Sequence, residues 1–376
     1  MDDAARRHHH LDGVKRLIVK IGSAVIAPDG LPSEDAFEKL AAQFASIRAS
    51  GVELAVVSSG AVANGFRPLG FDRPPATVAL KQAAAAVGQP LLMQAWSRAL
   101  AGYGIIAAQV LFTAEDLGDR PRYLNARRTM AELLDRGVLP IINENDTVSY
   151  EEIRFGDNDM LSALAADVLS ADALIILSKA TGLYADGDPT QVIPTVTTDP
   201  AGSDDASSHV RDERSSVGTG GMASKLAASM LSARWGIPTV VAGGHVPNVL
   251  TRVLSGELVG TLFAPATQRV TARHRWLSGA ARSKASIRVD AGAAKALRER
   301  HASLLPSGIT SVEGVFDRGA IVAIRDPQGG AIAKGVTLYS SEEVTRIAGR
   351  RSDQIEGVLG YSLAEEVVHR DDLALL

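Results

Sequence analysis

The chain contains no cysteine among its 376 residues. Disulfide bonds, thiolate catalysis and cysteine-ligated zinc sites are therefore excluded. The eight histidines show no spacing typical of metal ligands. Three of them, His8 to His10, follow one another in a polar N-terminal stretch that we expect to be exposed. The sequence thus leaves any metal ligand unidentified.

Long apolar runs are also missing. None reaches the ~20 residues that a membrane-spanning helix needs, and the first 13 residues lack the apolar core of a signal peptide. The formal net charge of -4 offers no basis for attraction to nucleic acid or anionic membranes. We therefore expect a cytoplasmic protein that does not associate with membranes. The phosphate-binding pattern GxxxxGK[ST] is absent as well.

Length and patterning indicate two domains. Up to about residue 265, buried strand patterns alternate with helical patterns, which predicts an α/β layered sheet with helices on both faces. Residues 266–284 are expected to be a linker. Residues 285–376 carry short β-like runs separated by turn signals, which predicts a small β-rich domain.

Two polar clusters flank one short connector. Asn143, Glu144, Asn145 and Asp146 follow an apolar run at residues 138–142, and residues 156–159 precede a helical pattern that starts at Met160. Helix capping by Asn158 and a plain turn at Asn145 are simpler alternatives for each cluster alone. Together the clusters favour a binding site. Alternation in residues 147–155 suggests a β-hairpin between them that could close over a ligand.

Three further segments have residues suited to binding an anion. Lys20 lies near the end of an apolar strand beside Gly22, so its ammonium either faces solvent or reaches a phosphate. Residues 58–61 form a small-residue turn between a strand and a helix, where either an anion site or a Ser cap is expected. The glycine-rich residues 218–221 open a helix at 222–235, which favours nucleotide phosphates over a glycine hinge. Lys225 lies one turn into that helix.

A long Ala-rich helix is predicted at residues 77–100, with a break near residues 88–90 because Pro90 disrupts helices.

Together these motifs resemble the glutamate 5-kinase group of the amino-acid kinase family. The matching segments are VKIGSAV around Lys20, VVSSGAVANG around Ser59, KQAAAAVGQ from Lys81, NENDTV from Asn143, GDNDMLSALAA around Asp157, GLY at residue 182 and GTGGMASK at residue 218. The segments SLLPSGI, VEGVFDRG and LGY near the C-terminus resemble the PUA domain that follows the kinase in many such enzymes. The resemblance covers nearly the whole chain in the expected order.

The resemblance implies transfer of the γ-phosphoryl group of MgATP to the side-chain carboxylate of L-glutamate, the first step of proline biosynthesis. It implies that Lys20 and Lys225 neutralise charge on the phosphoryl group and that Asp159 positions both lysines. Glutamate would be bound by Ser59, Asp146 and Asn158, with help from Asn143 and Asp157. ATP would be contacted by Lys20, Ser178, Lys179, Thr219, Gly220, Gly221, Met222, Ala223, Ser224 and Lys225.

Elementary chemistry agrees with this reading. A carboxylate with a pKa near ~4 is already a nucleophile at neutral pH, so no general base is needed. Catalysis then depends on alignment and charge neutralisation, which lysines, a helix N-terminus and nucleotide-borne Mg²⁺ can supply. One departure concerns Lys179, because the family usually has Asp at this position. Nucleotide preference or affinity is therefore expected to differ.

The resemblance also bears on partners. It suggests a homo-oligomer, either a dimer or a tetramer, feedback inhibition by proline, and contact with the next enzyme, glutamyl phosphate reductase. PUA domains also occur on RNA-modifying enzymes, so RNA binding is the alternative from a different class. Residues 285–376 contain 11 basic and 13 acidic side chains, a formal charge of -2. An RNA surface normally needs a basic face, so we expect no RNA binding.

Overall fold

The computed structural model describes residues 2–149, 158–185, 188–197, 221–265, 277, 283, 285–300 and 302–376. It divides into two compact units, one of residues 1–117 and 121–269 and the other of residues 118–120 and 270–376. Of the connector predicted as a hairpin, residues 150–155 lie outside the described residues, and so does the Ser- and Asp-rich stretch at residues 199–217.

The first unit is built on an eight-stranded sheet in the order β3-β4-β2-β1-β5-β7-β8-β6. Its strands are β1 (Arg16–Ile21), β2 (Glu53–Ser58), β3 (Ala107–Phe112), β4 (Leu139–Glu144), β5 (Ala173–Ser178), β6 (Thr195–Thr197), β7 (Thr239–Gly243) and β8 (Thr261–Ala264). All neighbours from β3 to β7 run parallel, and β8 runs antiparallel to β7. The parallel strands therefore bring their carboxyl ends to one edge.

Helices connect these strands. They are α1 (Asp3–Leu11), α2 (Ser23–Ile26), α3 (Glu34–Ala49), α4 (Ala61–Gly65), α5 (Val78–Ala101), α6 (Ala114–Gly118), α7 (Arg120–Asp135), α8 (Asn158–Val168), α9 (Met222–Arg234) and α10 (Val249–Leu254). Every residue of β5 is buried, as expected for a strand covered on both faces. The predicted α/β layered fold is confirmed.

The predicted break in the long helix is wrong, because α5 continues through Pro90. Proline removes one backbone hydrogen bond and crowds the preceding turn. The helix continues because tertiary packing stabilises it on both sides of the proline. Leu92, Trp96 and Leu100 are fully buried, and the Trp96 ring meets Phe37 edge to face with a centroid distance of 4.7 Å.

The interpretation of the N-terminus as an exposed polar start also needs correction. Residues 3–11 form α1, capped by the Asp2 side chain, which accepts from the backbone N–H of Ala5 at 2.7 Å. His8 and His9 are exposed, but Arg7 is fully buried. A polar helix is stable here because its one buried cation has hydrogen-bond partners far along the chain.

The second unit contains a five-stranded sheet in the order β10-β9-β11-β12-β13. Its strands are β9 (Ser286–Val289), β10 (Ile309–Glu313), β11 (Ile321–Arg325), β12 (Ala331–Val336) and β13 (Leu373–Leu375). Its helices are α11 (Ala291–Arg300), α12 (Ser341–Ile347) and α13 (Ile355–Leu359). Ser340 and Glu343 form a capping box at the start of α12. The predicted β-rich C-terminal fold is confirmed.

Candidate active site

The site lies at the carboxyl ends of the central parallel strands, where ligands of open α/β sheets bind. Lys20 is near the end of β1, Ser59 directly follows β2, Asn143 lies near the end of β4, and Ser178 ends β5. Strands β4, β2, β1 and β5 are consecutive neighbours in the sheet. The sheet order thus collects side chains that are up to 158 positions apart in sequence.

Asp159 lies between two lysines. Its Oδ1 accepts a short hydrogen bond from Lys20 Nζ, and its Oδ2 lies 3.0 Å from Lys225 Nζ. The exposed fractions are 0% for Asp159, 3% for Lys20 and 8% for Lys225. Ser224 Oγ adds a hydrogen bond of 2.9 Å to Asp159 Oδ2. The carboxylate therefore fixes two ammonium groups close together in a largely dry environment.

The charge state of Asp159 follows from these contacts. Burial alone would raise the pKa of its carboxyl group, but the positive charges and hydrogen bonds of Lys20 and Lys225 outweigh burial and hold the pKa well below its usual range. The carboxylate is therefore ionised at neutral pH. The three groups together carry one net positive charge, which suits an anionic ligand.

A chain of side-chain amides runs beside this cluster. Asn158 Nδ2 donates to Ser59 Oγ and to Asn143 Oδ1, both at 2.9 Å. Asn143 Nδ2 donates to Gln89 Oε1 at 2.8 Å, and Gln89 Nε2 donates to Gln109 Oε1 at 3.0 Å. The Oδ1 atom of Asn158 is buried and has no hydrogen-bond partner among the described residues. It is an acceptor available to a ligand.

Asp146 follows β4 and carries a perturbed pKa. Burial and, second, the negative charge of Glu144 raise it to about 6. Glu144 in turn accepts a hydrogen bond of 2.6 Å from Ser149 Oγ. A desolvated pair of carboxylates favours a bound cation, such as an ammonium group.

The N-terminus of α9 supplies backbone donors. Gly221 is its N-cap residue and makes no side-chain cap hydrogen bond, and no described residue accepts from the first N–H groups of the helix, which suits them to an anion. Lys225 lies in this first turn. Ser178 is buried at the end of β5, and the next residue, Lys179, is exposed.

The structure brings seven of the residues singled out from the sequence into two hydrogen-bonded clusters. Lys20, Asp159, Lys225 and Ser224 form one hydrogen-bonded cluster, and Ser59, Asn143 and Asn158 form another. Asp157, Thr219 and Gly220 lie outside the described residues.

Sequence reasoning missed Gln89, Gln109 and Glu144. Gln89 had a signal, because a polar residue within an Ala-rich helix pattern and beside Gly88 is unusual on a buried face. Gln109 is exposed within β3 and had none. Glu144 stood inside a recognised polar cluster but was not separated from its neighbours.

Two further observations concern ligands and membranes. Among the described residues, no group of three or more His, Asp or Glu side chains could hold a metal ion. Within the same residues, no helix is long and apolar enough to cross a bilayer.

At the carboxyl edge of a largely parallel sheet, Lys20 and Lys225 share the carboxylate of Asp159 beside the N-terminus of α9, an arrangement that suits a phosphate-bearing ligand. Comparison with known proteins gives the family. The profile of the amino acid kinase family matches residues 15–243, and that of the PUA domain matches residues 285–359.

The full chain has close relatives. It is 47% identical over 371 residues to a glutamate 5-kinase of Trichlorobacter lovleyi, covering 97% of this chain and 98% of the relative. It is 48% identical over 366 residues to a glutamate 5-kinase of Thermus thermophilus, covering 96% and 97% of the two chains. The chain belongs to the amino acid kinase family and, within it, to the glutamate 5-kinases.

Among solved structures, a UMP kinase of Bacillus anthracis aligns with a TM-score of 0.45 and 16% identity, covering 69% of this chain and 99% of that one.

Proposed function

We propose that the site at the carboxyl edge of the sheet phosphorylates the γ-carboxylate of L-glutamate with ATP, giving L-glutamyl 5-phosphate. This reaction is the first step of proline biosynthesis, and the chain is an ATP-dependent kinase. The observation that carries the assignment to this site is the Lys20–Asp159–Lys225 cluster, which lies directly beside the amides that can hold an amino acid.

The two lysines are assigned to the transferring phosphoryl group. A γ-carboxylate oxygen of glutamate attacks the γ-phosphorus, a new O–P bond forms, and the bond to the β–γ bridging oxygen breaks. The leaving ADP keeps the electron pair. Lys20 and Lys225 offset the negative charge on the attacking carboxylate and on the leaving ADP, and Asp159 holds the two lysines in place. No proton has to be removed from the nucleophile.

Glutamate is assigned to the amide network and to Asp146. The unpartnered Oδ1 of Asn158 and the carboxylate of Asp146 suit the α-ammonium group. Ser59 and Asn143 are proposed to complete the wall of this pocket. Asp157 is proposed to help bind glutamate, on the resemblance of its sequence motif alone. The γ-carboxylate would then point toward the lysines of the neighbouring cluster.

ATP is assigned to the N-terminus of α9. Within the described part of the chain the N–H groups of Met222, Ala223 and Ser224 have no acceptor, and together with the side chain of Lys225 they fit phosphate oxygens. Ser178, Lys179 and residues 219–221 are proposed to contact the nucleotide as well. Mg²⁺ would be held chiefly by the nucleotide phosphates, where it screens their charge during transfer. Lys179→Asp should change KM for ATP and leave KM for L-glutamate unchanged.

The reaction class is tested by trapping. The purified chain is incubated with MgATP, hydroxylamine and, separately, L-glutamate, L-aspartate, N-acetylglutamate or UMP. An acyl phosphate gives a hydroxamate, whereas a phosphate ester or anhydride does not. We expect hydroxamate with L-glutamate alone and its loss in Lys20→Met, with Lys39→Met as the matched control because Lys39 is exposed. Hydroxamate formed from a different acid would contradict the substrate assignment.

The remaining assignments concern partners and organisation. Proline, which resembles a cyclised glutamate, is proposed to compete in the pocket of Asp146 and Asn158. Inhibition that leaves the apparent KM for glutamate unchanged would contradict this. A cytoplasmic homo-oligomer, either a dimer or a tetramer, and contact with glutamyl phosphate reductase are further proposals. The domain limits 1–265 and 285–376, with a linker between them, are proposed on the sequence pattern.

RNA binding by the C-terminal domain is not expected, given its formal charge of -2. A gel shift of the full chain with tRNA, measured at increasing salt, tests this expectation. A shift that persists at physiological salt would contradict it.

A further inference from the structure

We propose that Gln89 is a positioning residue that fixes the orientation of the Asn143 and Asn158 amides and so makes the site select acids that carry an α-ammonium group. The inference rests on the proposed function, because it assigns the same pocket to glutamate. Gln89 lies on α5, outside the motifs that carry the lysine cluster, and reaches the pocket only through other side chains.

The direction of each hydrogen bond carries the argument. A side-chain amide has one oxygen that accepts and one nitrogen that donates. Gln89 Nε2 donates to Gln109 Oε1 at 3.0 Å, so Gln89 Oε1 faces Asn143 and accepts from its Nδ2 at 2.8 Å. The Asn143 nitrogen is thereby committed to Gln89, and its oxygen must face the opposite way.

The orientation of the Asn143 amide in turn sets that of Asn158. Asn143 Oδ1 accepts from Asn158 Nδ2 at 2.9 Å, and the same nitrogen donates to Ser59 Oγ at 2.9 Å. Asn158 therefore turns its oxygen away from both partners, and this Oδ1 is buried without a hydrogen-bond partner among the described residues. The hydrogen-bond relay from Gln89 through Asn143 to Asn158 thus ends in an acceptor, which attracts an ammonium group and repels a carboxylate.

Burial makes this orientation costly to change. Gln89 is 9% exposed and Asn143 is 2% exposed, so water cannot easily replace a lost partner. If the Gln89 oxygen were removed, the Asn143 amide could rotate and offer its nitrogen to Asn158. Asn158 would then rotate too and present its Nδ2 to the ligand. A donor at that point no longer favours an ammonium group.

The backbone around Gln89 is fixed as well. A Cβ atom built on the preceding residue, Gly88, would lie 1.8 Å from the carbonyl oxygen of Ala61 and 2.5 Å from the nitrogen of Gly65. Residues 61–65 form α4, which starts two residues after Ser59. Helices α4 and α5 therefore touch backbone to backbone, so Gln89 and Ser59 are held at a constant separation.

Glutarate, which is glutamate without its amino group, separates selection from general pocket integrity. KM for L-glutamate and Ki for glutarate as a competitive inhibitor are measured in the hydroxamate assay. The variants are Gln89→Met, which keeps the length of the side chain, and Gln89→Glu, whose carboxylate can still accept from Asn143. Gln94→Met is the matched control, because Gln94 is an exposed glutamine of the same helix. KM for ATP and Tm are recorded for each.

In Gln89→Met we expect KM for L-glutamate to rise by roughly ten- to a hundredfold, with Ki for glutarate changed by less than about threefold. Gln89→Glu should restore the ratio of the two constants to within about threefold of wild type. Gln94→Met should match wild type, and KM for ATP should stay constant throughout.

Other outcomes overturn the inference in distinguishable ways. A parallel rise of both constants in Gln89→Met, or a Gln89→Glu variant that selects as poorly as Gln89→Met, would show that Gln89 only supports the fold. An unchanged KM for L-glutamate in Gln89→Met would show that the relay does not act at all. Absence of hydroxamate in the wild-type enzyme would instead overturn the proposed function, and this inference with it.

Discussion

Gly65 and Gly88 face each other across the contact of α4 and α5, and neither position has room for a side chain. A Cβ atom on Gly65 would lie 1.8 Å from the carbonyl oxygen of Ala84 and 2.6 Å from the nitrogen of Gly88. Real Cβ atoms do not approach backbone atoms so closely. The two glycines thus determine how tightly the helix that follows Ser59 packs on the helix that carries Gln89.

Gly88→Ala should destabilise the protein by about 1–3 kcal/mol or more, because the extra methyl forces two backbones apart. Helix propensity alone would predict stabilisation by roughly 1 kcal/mol. Gly102→Ala is the control, since a Cβ atom there meets nothing within 4 Å. Urea unfolding of both variants is the measurement. A Gly88→Ala protein as stable as Gly102→Ala would show that the helices can separate freely.

Asp159→Asn should lower kcat by roughly 10²–10³-fold, because Lys20 and Lys225 lose the charge that positions them. Removing one partner of a buried ion pair also costs about 3–5 kcal/mol of stability. Ser224→Ala removes a hydrogen bond to the same carboxylate but keeps its charge, and it should lose far less activity. Steady-state kinetics on folded protein distinguish the two. Equal losses would mean that the hydrogen bond, not the charge, positions the lysines.

Protons should compete with L-glutamate below pH 6. Asp146 has a pKa of about 6, raised first by burial and then by Glu144, and only its ionised form attracts an ammonium group. KM for L-glutamate should therefore rise by about tenfold per pH unit below 6, while KM for ATP stays flat. Glu144→Gln should move this rise to lower pH, and Asp146→Asn should abolish it.

The raised pKa of Asp146 also affects the stability of the ligand-free enzyme. The pKa of Asp146 in the folded protein lies above its ordinary value of 3.8. The folded state therefore binds this proton more tightly than the unfolded state, and the contribution of this group to stability grows as pH falls from about 6 to about 4. Asp159 behaves oppositely, because its pKa is lowered; its contribution is lost only as pH falls below about 4. Urea midpoints measured between pH 7 and pH 4, for wild type and Asp146→Asn, test the first statement.

Arg7→Ala should lower the free energy of unfolding by about 3–5 kcal/mol. The buried guanidinium donates to four backbone carbonyl oxygens, those of Pro194, Glu257, Val259 and Gly260, and all four would lose this charged donor. The oxygens of Pro194 and Glu257 would keep one backbone N–H donor each. Burial lowers the pKa of Arg7 to about 10, so the group is still charged at neutral pH.

Arg6→Ala is the matched control for Arg7→Ala, because Arg6 is its neighbour on α1 and is only half-buried. Thermal and urea unfolding of both variants give the comparison. Similar stability of the two would show that α1 is not anchored by the buried arginine.

Local sequence patterns were sufficient to predict elements and site residues where the pattern lies within one short segment. The apolar strand predicted around Lys20 is β1, and the apolar run at residues 138–142 overlaps β4, which ends two residues later at Glu144. Lys20 was singled out because a lysine inside an apolar strand needs a reason, and the structure gives it a carboxylate partner.

The features that were not predicted depend on contacts between segments far apart in sequence, which no local pattern contains. Helix α1 is polar and histidine-rich, and its buried Arg7 is satisfied by carbonyl groups at least 187 positions away. Leu11 adds a contact with the hydrophobic core. The continuity of α5 through Pro90 depends on side chains packed from α3. Gln89 donates to Gln109, an exposed residue on the edge strand β3, and no local pattern links these two residues or sets the direction of their hydrogen bond.

The anchoring of Arg7 has a consequence for synthesis of the chain. Its partners at positions 257, 259 and 260 are made up to 253 residues later. At roughly 5–20 residues per second, the first helix waits about 13–50 seconds before its acceptors leave the ribosome. During that time the strands from β1 to β7 emerge and can pair without it. Helix α1 is therefore among the last elements to reach its final position, because its anchoring carbonyl groups are made so much later.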